Sequence, residues 1–489
     1  MTARRPCPPA PGPLEGYSAC FDDLFGTLAQ RRGFREYLTG LLAPRDRNKT
    51  LTGLAGAEPV VGAQHPAVQR LQFFLSESTW DYERINARRL ELLLADPATA
   101  PHEGGVLAID DSGDRKDGKT TAHVGSQWLG RYGKTDRGIV TVTTLWADEN
   151  LYYPLHAVPY TPASHFPKGR KDTGFRTKLR IGAALARDAH AAGVAFRAVV
   201  ADCAYGDQDA FRGELSTAGL PFVMALKPRR GTWAYGDEAY TPVDAARALS
   251  WTSPDKPGDW TKVTRTFRDG HTQTWWAAEA HLGWWGPDGT TRLVVATTDP
   301  ATLPDNATWY LATDLTRPGG PREHDSPYPP ADLAEVVRLY GIRHWIEQSY
   351  KQVKDELGWA DFQVRSDTAI RRHQCLVNCA FSFCWNRWFA DPAPATPDDA
   401  SQQPVPATRG DRRERGPYQR VHGRQSDIPT VLATCTSASP RMAGPVEVAA
   451  ELLASVVNQA PTRGVTGTRH RRRKWTDPEP VPPTLTNYR

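Results

Sequence analysis

Two short apolar runs in this chain stop on acid. Val106-Leu107-Ala108-Ile109 runs into Asp110-Asp111-Ser112-Gly113, and Val199-Val200-Ala201 runs into Asp202-Cys203. Runs this short, bounded by turn residues, read as strands of a buried sheet. The carboxyl end of a core strand is where open α/β sheets hold ligands and metals. Taken singly, each Asp reads first as a turn or helix-capping residue. The functional reading therefore depends on what else joins them.

The intervening pattern supports such a sheet. "GIVTVTTLWADENLYYPLHAVPY" is rich in β-branched and aromatic residues, with a turn at Asp148–Asn150, and predicts a hairpin or meander. A helix is expected at about 176–192, and "PFVMALKP" is a further strand. The order strand, antiparallel strands, helix, strand, helix specifies a mixed α/β core. We divide it into a first part, 101–228, and a second, 331–390.

Between them, 229–330 changes to Trp/Thr/Val alternation broken by Gly, Pro and Asp, the texture of a β-rich insertion. Eight of the sixteen tryptophans (233, 251, 260, 275, 276, 284, 285 and 309) fall there. Most are expected in sheet packing, with one available to stack on a flipped base should a DNA hairpin form.

The flanks differ in character. Residues 1–16 are Pro- and Gly-rich and expected to be disordered. Residues 17–100 read as short helices carrying Arg45, Arg47, Lys49, Arg88 and Arg89. Such a unit serves equally as a DNA-end-binding bundle or as a plain packing domain. Residues 391–489 comprise a Pro/Ala/Asp linker, one short helix in "VEVAAELLASVVNQA", and a partly disordered basic tail.

A net charge of +5 is too small to indicate nucleic acid by itself, but "RGDRRERGPYQRVHGR" and "RHRRRK" concentrate cations near the end. Seven cysteines occur without a CxxC pair. Cys375, Cys379 and Cys384 fall on a helical pattern and read as small buried hydrophobes rather than as a zinc site with His373. Reduced thiols, with no signal peptide and no apolar run of membrane-spanning length, predict a cytoplasmic chain without membrane attachment.

"RLYGIRHWIEQSYKQVKDELG", residues 338–358, supplies the third element. At about 100° per residue, Tyr340, Arg343, Glu347 and Lys354 fall within an arc of roughly 60°. Leu339, Ile342, Ile346, Val353 and Leu357 line another arc, the one expected to face a core. If that core is the sheet, Glu347 joins the strand-ending acids. Three carboxylates can then hold a pair of divalent cations for phosphodiester displacement, with Arg343 and Lys354 neutralising flanking phosphates.

At this point the motifs resemble those of the DDE transposases of bacterial insertion sequences. Tyr340, Arg343, Glu347 and Lys354 match the Y-x2-R-x3-E-x6-K signature of that family at every position. "LAIDDSG" is similar to its first-acid motif, although Ser112 stands where Thr is commoner. "VVADCAYGD" is similar to its second, and "HVGSQWLGRYGK" to a segment that follows the first acid in one subgroup. The resemblance spans about 70–390.

It implies an RNase H-like mixed-sheet catalytic core interrupted by the β-rich insertion. It also implies Asp111, Asp202 and Glu347 as catalytic metal ligands, with Asp111 taken over Asp110 because the family's acid precedes the small hydroxyl residue. Tyr340, Arg343 and Lys354 would contact DNA near the transferred end. Lys116 and Lys119 either touch backbone phosphate or belong to a solvated loop.

The implied cofactor is two Mg²⁺ ions, with Mn²⁺ able to substitute. The implied partners are double-stranded DNA, as terminal inverted repeats and target, and a second copy of the chain in the DNA complex, associated with the nucleoid. Two rival readings are a transposase-derived DNA-binding protein that no longer cuts and an unrelated metal-dependent phosphohydrolase. The intact acids oppose the first, and the Tyr/Arg/Glu/Lys helix opposes the second.

Overall fold

The computed structural model describes residues 6–390 apart from 233, 235–237 and 268–269. The expected C-terminal linker, helix and basic tail lie outside the described residues.

The sheet is built around β1 (Val106–Arg115). After β2 (Gly125–Leu129), β3 (Lys134–Ala147) runs antiparallel to β1, and its later half pairs with β4 (Tyr152–Pro159). On the other side of β1, β5 (Ala198–Ala201) and then β6 (Phe222–Ala225) add in parallel. The order β4-β3-β1-β5-β6, three antiparallel strands followed by two parallel ones, is that of an RNase H-like core.

The expected meander is β3–β4. Its turn is held by Asp148, whose Oδ1 accepts the N–H groups of Asn150 and Leu151. Every residue of β3 from Gly138 to Ala147 is buried, consistent with a central strand covered on both faces.

The insertion does not form a separate layer. Its strands β7 (Thr261–Thr266), β8 (Thr272–Ala280), β9 (Arg292–Thr297) and β10 (Thr308–Thr313) form an antiparallel ribbon. That ribbon continues the same sheet, because β10 pairs with β6 through Leu311 opposite Ala225.

Five N-terminal helices precede the sheet: α1 (Leu14–Ala19), α2 (Leu28–Leu42), α3 (Leu51–Leu54), α4 (Pro66–Ser76) and α5 (Tyr82–Ala95). Helix α1 corrects the expectation of disorder through residue 16, since Leu14 is fully buried. A capping box at Thr27 and Gln30 starts α2, and Asp81 caps α5.

Between strands lie α6 (Lys178–Ala191), α7 (Cys203–Gly206), α8 (Asp209–Thr217) and α9 (Pro242–Arg247). The chain's described part ends with α10 (Leu333–Ile342), α11 (His344–Asp355) and α12 (Asp367–Ala390). The stretch expected as one helix over 338–358 is thus two. The chain tightens at Arg343, whose N–H donates to the Tyr340 carbonyl and whose carbonyl accepts from Ile346, both three residues apart.

The N-terminal helices share one continuous apolar core with the sheet, and α12 is the member that joins them. Tyr17 donates to the Cys379 carbonyl, and Arg372 to the carbonyls of Leu75 and Trp80. Cys375, Cys379 and Cys384 are buried along α12, as small hydrophobes would be.

The cations that motivated a DNA-binding reading of 17–100 are tied inward. Arg89 is fully buried and donates to Pro154 and Leu155 carbonyls and to Ser382. Arg45 reaches the carbonyls of Lys354 and Asp355, and Lys49 those of Leu41 and Ala43. Arg47 bonds Thr52 and Ala57 carbonyls, and Arg88 pairs with Asp23.

Buried His373 is sensitive to acid. Its Nε2 faces the carbonyls of Gly358 and Trp359, which need a donor, so Nδ1 accepts from the Tyr37 hydroxyl. Burial, with a smaller push from Lys116, lowers this imidazole to about 4. In the unfolded chain it titrates near the ordinary value of about 6.5.

A folded pKa below the unfolded one means that this stability is full above about 6.5 and is lost as pH falls through 4. The gap of about 2.5 units corresponds to roughly 3 kcal/mol. Urea unfolding at neutral pH and near pH 4 should show a smaller acid-induced loss in His373→Gln than in wild type. Equal losses would remove His373 as a cause.

Candidate active site

Strand alternation decides which side chains meet. Along β1, Asp110 lies opposite Thr143 of β3, and Asp111 lies opposite Val142. Successive side chains point to opposite sheet faces, while paired residues share one. Thr143 hydrogen-bonds Tyr350 of α11, so the Asp110 face is the α11 face. Asp111 faces α6 instead: its Oδ1 accepts from Lys178 Nζ at 3.0 Å, and its Oδ2 from the Tyr205 hydroxyl at 3.3 Å.

Asp202 follows the last residue of β5. Since Ile109 lies beside Ala201 in the parallel pairing, the next residues in register are Asp110 and Asp202. Asp202 also caps α7, its Oδ1 accepting the Ala204 N–H at 2.9 Å, so its capping role and its place at the site coexist.

Arg343 connects these acids to the helix. It lies at the tightened turn where α10 passes into α11, with Nη1 3.6 Å from Asp110 Oδ2 and Nη2 3.0 Å from Glu347 Oε1. Glu347, in the first turn of α11, is 64% exposed, whereas the Arg343 side chain is 14% exposed.

Burial, and then the neighbouring Asp202 carboxylate, push the Asp110 carboxyl up to about 8 against the pull of Arg343. Burial also opposes the charge of Arg343, but Tyr340, Asp110, Asp202 and Glu347 together raise its pKa above the ordinary guanidinium value. Arg343 Nη1 is buried without a hydrogen-bond partner. The site is thus a cluster of acids with one guanidinium among them.

Among the described residues, no three His, Cys, Asp or Glu side chains are gathered closely enough to cage a metal. The donor chemistry nonetheless fits a hard divalent cation. The Asp202 carboxylate disfavours the charge of Asp110, and a third, exposed acid pairs with Arg343.

The other expected site residues are placed differently. Lys354 is buried: its Nζ lies 2.7 Å from Asp114 Oδ1 and 2.7 Å from the Ser112 hydroxyl. Tyr340 is also buried, with its ring edge-on to Trp309 at 5.0 Å. Lys116 donates to the carbonyls of Ala360 and Phe362. Of the four signature residues, only Glu347 is broadly open to solvent.

Lys178 and Tyr205 were missed as neighbours of the acids. Tyr205 had a signal, as the aromatic residue of "VVADCAYGD". Lys178 had none, because only the packing of α6 on the sheet brings it to β1.

A five-strand core of this order, with acids leaving two adjacent strands and another on a covering helix, belongs to the class of RNase H-like nucleases. The particular family follows from direct comparison. The chain is a member of the DDE superfamily endonucleases, whose family model matches residues 20–281. That match includes both strand-end acids and stops before Glu347. The chain is also 31% identical over 394 residues to "Probable transposase for insertion sequence element IS701" of Microchaete diplosiphon, a match covering 79% of this chain and 92% of that relative. Members of this endonuclease family act on DNA with divalent metal ions.

Proposed function

We propose that the chain is an insertion-sequence transposase that cleaves DNA at the element's ends and transfers the resulting 3′-hydroxyl into target DNA. The observation that carries this reading is the shared sheet face: Asp110, Asp202, Arg343 and Glu347 meet beside β1, on a chain related to a transposase over most of its length. In this reading Asp110, Asp202 and Glu347 are the metal ligands. The register favours Asp110 over Asp111 as the first acid, because Asp111 is turned toward Lys178 on the other face.

When bound, two Mg²⁺ ions (or Mn²⁺) would supply Lewis acidity toward the scissile phosphate and lower the pKa of the attacking water or hydroxyl. The chain's own residues orient the site. Arg343 pairs with Glu347 and would offer its guanidinium to a phosphate if Glu347 turned to a bound cation. Tyr340 buttresses Arg343 from the insertion side through Trp309. Element ends and target DNA are the proposed substrates, with a second copy of the chain in the complex. End recognition by residues 17–100 would use groups other than Arg45, Arg47, Lys49, Arg88 and Arg89, which are bonded internally.

The test is a strand-transfer assay with the purified chain, linear DNA carrying the element's ends, a supercoiled plasmid, and Mg²⁺ or Mn²⁺. Joined products with the element's 3′ ends covalently attached to plasmid are expected. Cleavage that persists in EDTA, or binding without any cleavage in either metal, would overturn the reading in favour of a different nuclease or a non-cutting DNA-binding protein.

A further inference from the structure

The segment "HVGSQWLGRYGK" has no role in the site just described, yet the fold carries it to the same sheet face. Pairing along β1 and β3 sets Asp110, Ser112 and Asp114 opposite Thr143, Thr141 and Ile139. Two residues further along β3 on that face come Arg137 and then Thr135, which pair with Ser126 and Trp128 of β2. One continuous face thus runs from the acid of β1 to the indole of Trp128. In β1's register Thr135 would stand opposite position 118, so Trp128 lies about eight residues, or roughly 27 Å, along the sheet from Asp110. At about 3.4 Å per base pair, that is close to eight base pairs of duplex.

The surface at that end has a distinctive chemistry. Trp128 is 60% exposed and Tyr132, at the ribbon's turn, 41% exposed, whereas their neighbours Gln127 and Leu129 are buried. Residues 115–137 carry six cations (Arg115, Lys116, Lys119, Arg131, Lys134 and Arg137) against two acids (Asp117 and Asp136). Lys116 is occupied internally. Arg115, Arg131, Lys134 and Arg137 are each more than half exposed, and their pairs with Asp136, Asp355 and Asp117 are open to water. Exposed pairs of this kind exchange readily for another anion. The Arg131–Asp355 pair also ties the ribbon's tip to the end of α11, the helix that begins beside Glu347.

We propose that the β2–β3 ribbon is a duplex-DNA docking surface. Trp128 would bear on the sugar-phosphate wall or groove edge, and Arg131 and Arg137 on phosphates, about eight base pairs from the scissile bond. A two-stranded ribbon fits the major groove, and cations positioned beside it hold the register of the duplex. This rests on the nuclease reading for its direction, but its test does not depend on cleavage.

The full-length chain is titrated with a short random-sequence duplex in Ca²⁺ over a salt series, as wild type, Trp128→Ala, Arg137→Ala and Arg131→Ala. Circular dichroism monitors folding, and sedimentation velocity is run on the free chain. Trp128→Ala should weaken binding on the order of tenfold. Arg137→Ala should make the slope of log K against log salt shallower by about 0.9. Arg131→Ala should weaken binding and flatten the slope as well.

Wild-type affinity and slope in all three ribbon variants would overturn the proposal. Loss of self-association in those variants with unchanged DNA binding would overturn it in favour of a second copy as the occupant. Full cleavage by Asp110→Asn in a separate Mg²⁺ assay would sink the active-site reading while leaving the ribbon result standing.

Discussion

Asp110→Asn is expected to abolish metal-dependent DNA cleavage, a fall of at least about three orders of magnitude, or roughly 4 kcal/mol of barrier. Asp111→Asn should stay within about tenfold of wild type. The two residues are adjacent and chemically identical, so the contrast isolates geometry. Asp110 shares its face with Thr143, Tyr350 and Arg343, whereas Asp111 is engaged by Lys178 and Tyr205 on the other. Removing Asp111 breaks a partly exposed ion pair, a modest loss. Removing Asp110 takes away a carboxylate beside Asp202 that, in the proposed site, would be one of three holding the cations.

A measurement without DNA should agree. Mn²⁺ should raise the melting temperature of wild type but not of Asp110→Asn or Asp202→Asn, because only a loaded site stabilises the fold by mass action. The pH dependence has a definite sign. The folded Asp110 carboxyl titrates near 8, above its unfolded value near 3.8. Without metal its contribution is therefore full below about pH 4 and is lost as pH rises through 8. Should Asp111→Asn be the inactive variant and Asp110→Asn the active one, the register argument fails and Asp111 is the ligand. If both cleave normally, the acids of β1 are not part of the catalytic centre.

The second large effect is on stability. Lys354→Ala should cost about 3–5 kcal/mol, because it strands Asp114 as a buried, unpaired charge. The Lys354 side chain is 5% exposed and that of Asp114 9%, and the ammonium also satisfies Ser112. The paired replacement Lys354→Met with Asp114→Asn should recover much of the loss, since it removes both charges together.

Denaturant unfolding of the three proteins reads this directly. In a chain of this size a few kcal/mol moves the midpoint by an easily measured amount. A Lys354→Ala protein that unfolds like wild type yet binds element ends poorly would show that this lysine reaches DNA. The structural role would then be wrong. The helical wheel had placed Lys354 with Arg343 as a phosphate contact. In the fold Lys354 lies against β1, and of the arc's four residues only Glu347 is broadly open to solvent.

Much of this protein can be read from its residues alone. Val106–Ile109 and Val199–Ala201 had to be buried strands, because runs of large apolar side chains bounded by polar turns have few other places to go. The chain order of strands and helices then restricts them to a mixed sheet, and four residues at set spacing on 338–358 mark the acid proposed to join it. These are local properties, written in composition and period.

What the sequence could not decide was every matter of facing. Alternation says that Asp110 and Asp111 point opposite ways, but which face receives α11 depends on how distant helices pack. Basic side chains look alike in a sequence whether they meet phosphate or a carbonyl inside the molecule. Arg89 and Lys354 proved to be internal because α12 and β1 lie over them, 293 and 242 residues away in the chain. The insertion, too, reads as β-rich from its alternation, but its fusion with the core sheet depends on Leu311 meeting Ala225. Side-chain type and period are set by neighbours along the chain. Burial, pairing and the sign of the field at a carboxylate are set by neighbours in space, and only the folded chain supplies them.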